Sequence, residues 1–378
     1  PPLIFRWLTE KKGRKRDVPI TLWRLASSAF AMTVYIIAAL SMLPVTAIYL
    51  LFGGHNDKWK LSYHRIICNA SRFIIHHIPG SPFTFSNTGS EDFSKPAAYI
   101  CNHQSHFDLM CILMLSPKMV VLTNDWAWNN PFYKFIVHFC DFYTVSNGVD
   151  RCVEYLRPLT AKGYSVVVFP EGTRSADCKV QRFHHGAFYI AEQLGLDIVP
   201  LYIHGTGHSL PKNDFMLRKA RIYFEAGKRI CACDDSFGTG YRERTKTIEH
   251  FYMAHYAEIC ESLETPDYWK WYVRHKYVYK EKAVESGARK CVEKTVRGNV
   301  VSRLPKYSAC RLTNIGRGEA AWLFALSNPT VRFYASEADE SLFQIASNTS
   351  LIPNNLHFIS GGEEPATDCT IDIKDLLS

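Results

Sequence analysis

Ala97-Ala98-Tyr99-Ile100-Cys101-Asn102-His103-Gln104-Ser105-His106-Phe107-Asp108 is the stretch on which the reading of this chain turns. Its first five residues form an apolar run of strand length, and the polar residues behind them read as the loop at the strand's mouth. A histidine and an aspartate separated by four residues at such a place form a base and its orienter. The imidazole can take a proton from an attacking hydroxyl, while the carboxylate holds the tautomer and stabilises the imidazolium.

A second polar cluster strengthens the first. Phe169-Pro170-Glu171-Gly172-Thr173-Arg174-Ser175 also follows directly on an apolar run, Tyr164-Ser165-Val166-Val167-Val168. Two polar loops, each at the end of a buried strand, are the layout expected of an α/β active site. Strand and helix candidates alternate around them. Strands are expected at 97–101, 119–122, 142–145, 164–169 and 198–203, the last broken by Pro200, with further strands at 220–224 and 228–231. Helices are expected at 109–115, 131–139, 149–161, 186–194 and 243–263.

Together the two loops resemble the H-x4-D and EGTRS motifs of the glycerolipid acyltransferases, the family of lysophosphatidic acid acyltransferase; the resemblance covers roughly residues 20 to 260. It implies a general base at His103, held by Asp108, which activates a lipid-type hydroxyl for attack on an acyl thioester. The donor would be acyl-CoA or acyl carrier protein, with neither a metal nor another cofactor required. It also implies that Arg174 and the amides around Gly172 and Thr173 bind the acceptor's phosphate, that Glu171 orients this loop, and that Pro200 shapes the acyl side. The middle of the motif set departs from the family. No arginine ends Cys140-Asp141-Phe142-Tyr143-Thr144-Val145-Ser146, Arg151 being the nearest, and Asn124-Asp125 stand where the family carries a lysine. The chemistry is therefore better specified than the acceptor. His106, His184 and His185 are further polar residues near the two loops.

At 378 residues, 47% of them hydrophobic, the chain can form two domains with real cores. A net charge of +8 suits an anionic membrane, a nucleic acid or an anionic substrate, and position decides among them. The basic residues between Lys11 and Arg24 precede a stretch from Leu25 to Phe52 without a charged residue, longer than the roughly 20 residues of a spanning helix. Two forms compete, a long helix kinked at Pro44 or a hairpin dipping into one leaflet. Basic residues on both flanks favour the hairpin. An amphipathic helix is expected over 61–77. Membrane lipids are thus expected partners, with the active site on the cytoplasmic face and no role for nucleic acid. The twelve cysteines lack the spacing of a zinc site, and Cys231 and Cys233 read as structural thiols in a reducing compartment.

Beyond 265 a basic and aromatic strip, Tyr268 to Lys282, leads into a polar helix at 283–300. Then Arg311-Leu312-Thr313-Asn314-Ile315 precedes Gly316-Arg317-Gly318-Glu319-Ala320, and Glu337 follows a second strand candidate, 331–335, with others at 355–359 and 370–373. A glycine turn between strand and helix, with an acid about 20 positions on, is a nucleotide-binding arrangement. The segment resembles the first half of a class I S-adenosylmethionine methyltransferase, with Ala320 at the usual third glycine. That resemblance implies cofactor contacts at Gly316, Gly318 and Glu337.

The expected fold is α/β: an acyltransferase-type mixed sheet flanked by helices behind an N-terminal apolar membrane segment, then a partial Rossmann-like unit. The divisions fall at 1–60, 61–265, 266–300 and 301–378, as parts of a longer polypeptide. Two other readings stay open, a methyltransferase with a membrane scaffold and a lipid-binding module without catalysis.

Overall fold

The computed structural model describes residues 7–11, 14–52, 56–129, 137, 139–301, 303–304, 306–349, 351–360 and 365–377. The aromatic-rich helix expected at 131–139 lies largely outside them. The chain forms two compact units, Trp23–Glu258 and Pro1–Leu22 with Ile259–Ser378.

The first unit is built on a seven-stranded mixed sheet. In chain order its strands are β1 (Phe83–Asn87), β2 (Ala97–Cys101), β3 (Met119–Thr123), β4 (Tyr143–Thr144), β5 (Ser165–Val168), β6 (Asp197–His204) and β7 (Ile222–Ala226). Across the sheet they run β1-β7-β6-β2-β5-β3-β4, with β6 and β7 antiparallel and every other pair parallel. The central strands β2, β5 and β6 are buried along their whole length. Strands covered on both faces read as unbroken apolar runs, which is why the sequence shows them so plainly.

Pro200 does not break β6. Ile198 bridges Ile230, and the regular ladder to β7 begins at Leu201 paired with Ala226. Pro200 falls between these, offering only its carbonyl, which accepts from the Gly227 amide at 2.9 Å. Its missing N–H therefore costs no ladder bond. The strand expected at 228–231 is reduced to that one bridge. The thiols expected at Cys231 and Cys233 are instead joined in a disulfide.

The apolar stretch forms one continuous helix, α1 (Leu22–Phe52), of 31 residues with Pro44 inside it. At 1.5 Å per residue it is about 45 Å long. The hairpin expectation is corrected: among the described residues the chain does not turn back before Phe52. Arg24 is 2% exposed and donates to the carbonyls of Leu217 and Met216, at 2.9 and 3.1 Å. Most of the helix beyond it is uncovered, with Phe30, Ile36, Ile37, Leu40 and Leu51 exposed. It is long and apolar enough to cross a membrane.

Helix α2 (Asp57–His76) starts at an Asn56 cap whose side chain accepts the Lys58 amide at 2.8 Å. It buries Tyr63, Ile67 and Ile75 on one face, where Tyr63 and Ile75 join the sheet's core. The unit continues with α3 (Phe107–Leu113), α4 (Asp125–Asn129), α5 (Val149–Ala161), α6 (Gly186–Gln193) and the single turn α7 (Thr206–Ser209). Helix α8 (Tyr241–Leu263) follows.

In the second unit, α9 (Pro266–His275), α10 (Lys282–Arg297) and α11 (Glu319–Ser327) share a core with a four-stranded parallel sheet. Its strands are β8 (Ala309–Thr313), β9 (Arg332–Ala335), β10 (Leu356–Phe358) and β11 (Cys369–Asp372), and they run β10-β9-β8-β11. Trp322 of α11 is fully buried at the centre.

Candidate active site

Sheet order brings the two motif loops together. Strands β2 and β5 are parallel neighbours, with Ile100 in register with Val168, so both loops leave the same end of the sheet. Asn102 fixes the first one. Its side chain exchanges two hydrogen bonds with the backbone of Ile203 on β6, each 2.8 Å, and its amide donates to the Tyr252 hydroxyl at 2.9 Å.

From that clamp the chain reverses through Gln104 and Ser105 into the first turn of α3. The reversal carries the Asp108 carboxylate back to the His103 ring, with Nδ1 2.8 Å from Oδ2. Asp108 is fully buried and saturated with donors. Its Oδ2 also accepts the amides of Gln104 at 2.6 Å and Ser105 at 2.7 Å, and its Oδ1 accepts the Thr206 hydroxyl at 2.6 Å. So many donors on one buried carboxylate hold its position. With the Nδ1 proton given to Asp108, Nε2 is the basic nitrogen, and no group among the described residues bonds it. The ring stacks on Phe169, centroids 4.1 Å apart, which fixes its plane.

The second loop is tied to the first by backbone. Glu171 Oε1 accepts the His103 amide at 3.0 Å, and the Ser175 amide donates to the His103 carbonyl at 2.7 Å. Gly172 holds a φ of +68°, where a side chain would be strained, and a Cβ there would also meet the His184 ring at 3.4 Å. Burial raises the Glu171 carboxyl to about 8, so it stays protonated at neutral pH. Its Oε2 is buried, and the Gln181 backbone also approaches the carboxyl. Arg174 is half-buried, and its guanidinium makes no hydrogen bond among the described residues. Burial, followed by the charge of Arg174, pushes His106 down to about 4, leaving that ring neutral beside a cation.

Other residues singled out from the sequence fall elsewhere. Pro200 is buried inside β6, in register with Ile100. Arg151 is exposed on α5. Asp125, in place of the family's lysine, accepts the Thr144 hydroxyl at 2.8 Å. His184 adjoins Gly172, whereas the buried Nδ1 of His185 has no hydrogen-bond partner among the described residues. Thr206 and Lys212 were not anticipated; Lys212 Nζ lies 2.5 Å from the Arg174 carbonyl. No local pattern marks either residue, and only the placement of β6 beside β2 puts them at the site.

Residues 84–204 match the Acyltransferase family model. The matched segment contains both loops and every residue of the pair and its clamp up to His204. A 1-acyl-sn-glycerol-3-phosphate acyltransferase of Chlamydomonas reinhardtii is 35% identical over 36% of this chain and 42% of its own length. The enzyme of that name from Cocos nucifera is 34% identical over 50% of this chain and 63% of its own. The chain spans about half the length of the curated relatives it matches. The crystal structure of the 1-acyl-sn-glycerophosphate acyltransferase PlsC of Thermotoga maritima superposes with a TM-score of 0.54 at 18% identity, covering 63% of this chain and 96% of that one. That likeness establishes the fold: the mixed sheet of this unit is of the PlsC type.

In the second unit, Gly316 and Gly318 both have positive φ, at +60° and +91°, and a Cβ on Gly318 would come within 2.9 Å of Ala346. Glu337, at the end of β9, accepts the Gly316 amide at 2.7 Å and those of Ala338 and Asp339 at 3.0 and 3.2 Å.

Proposed function

We propose that this chain is a membrane-associated O-acyltransferase that moves a fatty acyl group from acyl-CoA or acyl carrier protein to the free hydroxyl of a lysophosphatidate-type acceptor. The observation that carries it is an imidazole held by a saturated, buried carboxylate, in a loop tied by backbone to that of Arg174; among the described residues neither its Nε2 nor the Arg174 guanidinium makes a hydrogen bond. His103 Nε2 takes the proton as the acceptor oxygen forms its bond to the thioester carbonyl. The tetrahedral intermediate collapses with loss of the thiolate, which receives that proton. Asp108 stabilises the imidazolium between the two steps. Arg174 binds the acceptor phosphate with a planar fork of donors. The names of the matched relatives and the exposed apolar length of α1 support the lipid substrate and the membrane site. On this reading the catalytic loops lie on the cytoplasmic face. General-base catalysis is worth about 10²–10⁴ in rate. The test is thioester consumption by the full chain with lysophosphatidate. Turnover should fall by about that factor in His103→Ala, and equal turnover in parent and variant would sink the proposal.

A second reading concerns the other unit, as a site for S-adenosylmethionine. All-parallel β10-β9-β8-β11 order, two left-handed glycines at the tip of β8 and an acid at the tip of β9 favour it. The residues fit a nucleoside, although three backbone amides already engage the Glu337 carboxylate and a ribose hydroxyl would have to share it. When bound, the group would supply a methyl donor. Calorimetry of the full chain with S-adenosylmethionine tests this, and absence of heat removes it.

A further inference from the structure

The acceptor site as the motifs describe it contains one cation, whereas the phosphate of a lysophosphatidate carries close to two negative charges at neutral pH. The lysine that the family resemblance expects after β3 is replaced by Asn124 and Asp125. Either the phosphate is undercharged by its site or another residue makes up the difference.

The segment after α7 passes beside both motif loops. The Ser105 hydroxyl donates to the Leu210 carbonyl at 2.9 Å, tying this segment to the His103 loop. Two residues later, Lys212 reaches the other loop. Its ammonium donates to the Arg174 carbonyl at 2.5 Å and lies 3.3 Å from the Thr173 hydroxyl. Neither Lys212 nor Arg174 has a carboxylate partner among the described residues. The carboxyl nearest in sequence, Glu171, is buried and points its bonded oxygen at the His103 amide rather than at either cation. The ammonium has three donors and has used two, so one remains for a ligand seated against Arg174.

We propose that Lys212 is the second cation of the acceptor-phosphate site, doing with Arg174 what a lysine after β3 cannot do in this chain. The inference rests on the reading of the Arg174 loop as the phosphate site and names a residue that reading lacks. Lys212, bonded to the backbone of Arg174 itself, would share the phosphate with that residue's guanidinium. Their combined charge matches a phosphomonoester better than a phosphodiester or an uncharged glycerolipid, which makes the pair a determinant of acceptor class.

Calorimetry on the full chain in detergent decides the matter, with hexanoyl-lysophosphatidate as probe and monohexanoylglycerol as its phosphate-free counterpart. The parent should bind the first and not the second. Lys212→Gln should weaken binding about tenfold, the scale of one charge-assisted hydrogen bond lost at a half-exposed position, and Lys212→Arg should recover most of it. Binding by the parent should weaken as salt is added, and less steeply in Lys212→Gln, because one charge of the pair is gone. Unchanged affinity in Lys212→Gln would overturn the proposal. A loss with an unaltered salt dependence would also overturn it, since Lys212 would then only brace the loop. Failure of the parent to bind the phosphorylated probe would overturn it outright. Binding that behaves as stated without any acyl transfer would instead remove the catalytic reading and leave the assignment of Lys212 in place.

Discussion

The Thr206 hydroxyl donates to Asp108 Oδ1 at 2.6 Å, while the other oxygen of the same carboxylate holds the His103 ring. Residues from two different strand ends thus grip one side chain, and Thr206 is a positioning residue for the base proposed above. Thr206→Ala leaves the buried Oδ1 without its donor, and hydrogen bonds to charged groups are worth about 1.5–3 kcal/mol. We expect kcat to fall on the order of tenfold or more with KM little changed, and Thr206→Ser to restore it. Steady-state kinetics with lysophosphatidate as the varied substrate provides the check.

Glu171 makes stability depend on pH. Its folded-state value, about 8, lies above the ordinary 4.5, so between the two the unfolded chain releases a proton that the folded chain keeps. Stability from this group is intact below 4.5 and declines as pH rises through that window. Glu171→Gln keeps an oxygen for the His103 amide and removes the titration. The melting temperature of Glu171→Gln relative to the parent should rise from acidic pH to about 8 and level off above it. A constant offset across the range would contradict the assignment.

Asn102 is the clamp between β2 and β6. Asn102→Ala strands the buried N–H and carbonyl of Ile203, at a cost of about 2–4 kcal/mol. Urea unfolding should show a lower midpoint. Activity should fall as well, even where the protein is fully folded, because the His103 loop departs from this point.

Helix α1 can be tested by charge. Ile36 and Leu40 lie one turn apart and are both exposed. Lysines at both places each cost about 2.5–3.5 kcal/mol at the centre of a spanning helix. Vesicle flotation should move the double variant from the lipid fraction to the soluble one, while the isolated loops around His103 and Arg174 are untouched.

Much of the first unit was legible in the residues themselves. The runs 97–101, 119–122 and 164–169 are apolar because central strands of a parallel sheet are covered on both faces, and the polar loops at their ends stand out by contrast. Helix α5 matches its expected span, 149–161. Where the reading missed, the cause was non-local. A proline disrupts a strand only where the N–H it lacks would have had to meet a partner, and the detour after β7 at Gly227 removes that need at Pro200. Basic residues on both flanks of 25–52 favour a hairpin, yet Pro44 is accommodated within one continuous helix. Thr206 and Lys212 carry no motif, since their relevance to His103 exists only once β6 lies against β2. The pairing of Cys231 with Cys233 likewise has no signal beyond a common C-x-C spacing.

The grip on Asp108 and its loop has a consequence for biosynthesis. His103, Asp108, the loop around Glu171, the hydroxyl of Thr206 and the phenol of Tyr252 come from segments spread over about 150 positions of the chain, and β2 is completed by a strand that follows it by about 100. A ribosome that has released residues 97–175 has made both signature loops yet cannot have made a competent site. Competence arrives late, when α8 emerges and its tyrosine reaches the Asn102 amide. Until then the nascent chain exposes a long apolar helix ahead of an unfinished sheet. Early capture by a lipid surface would shield the first while the second is still being assembled.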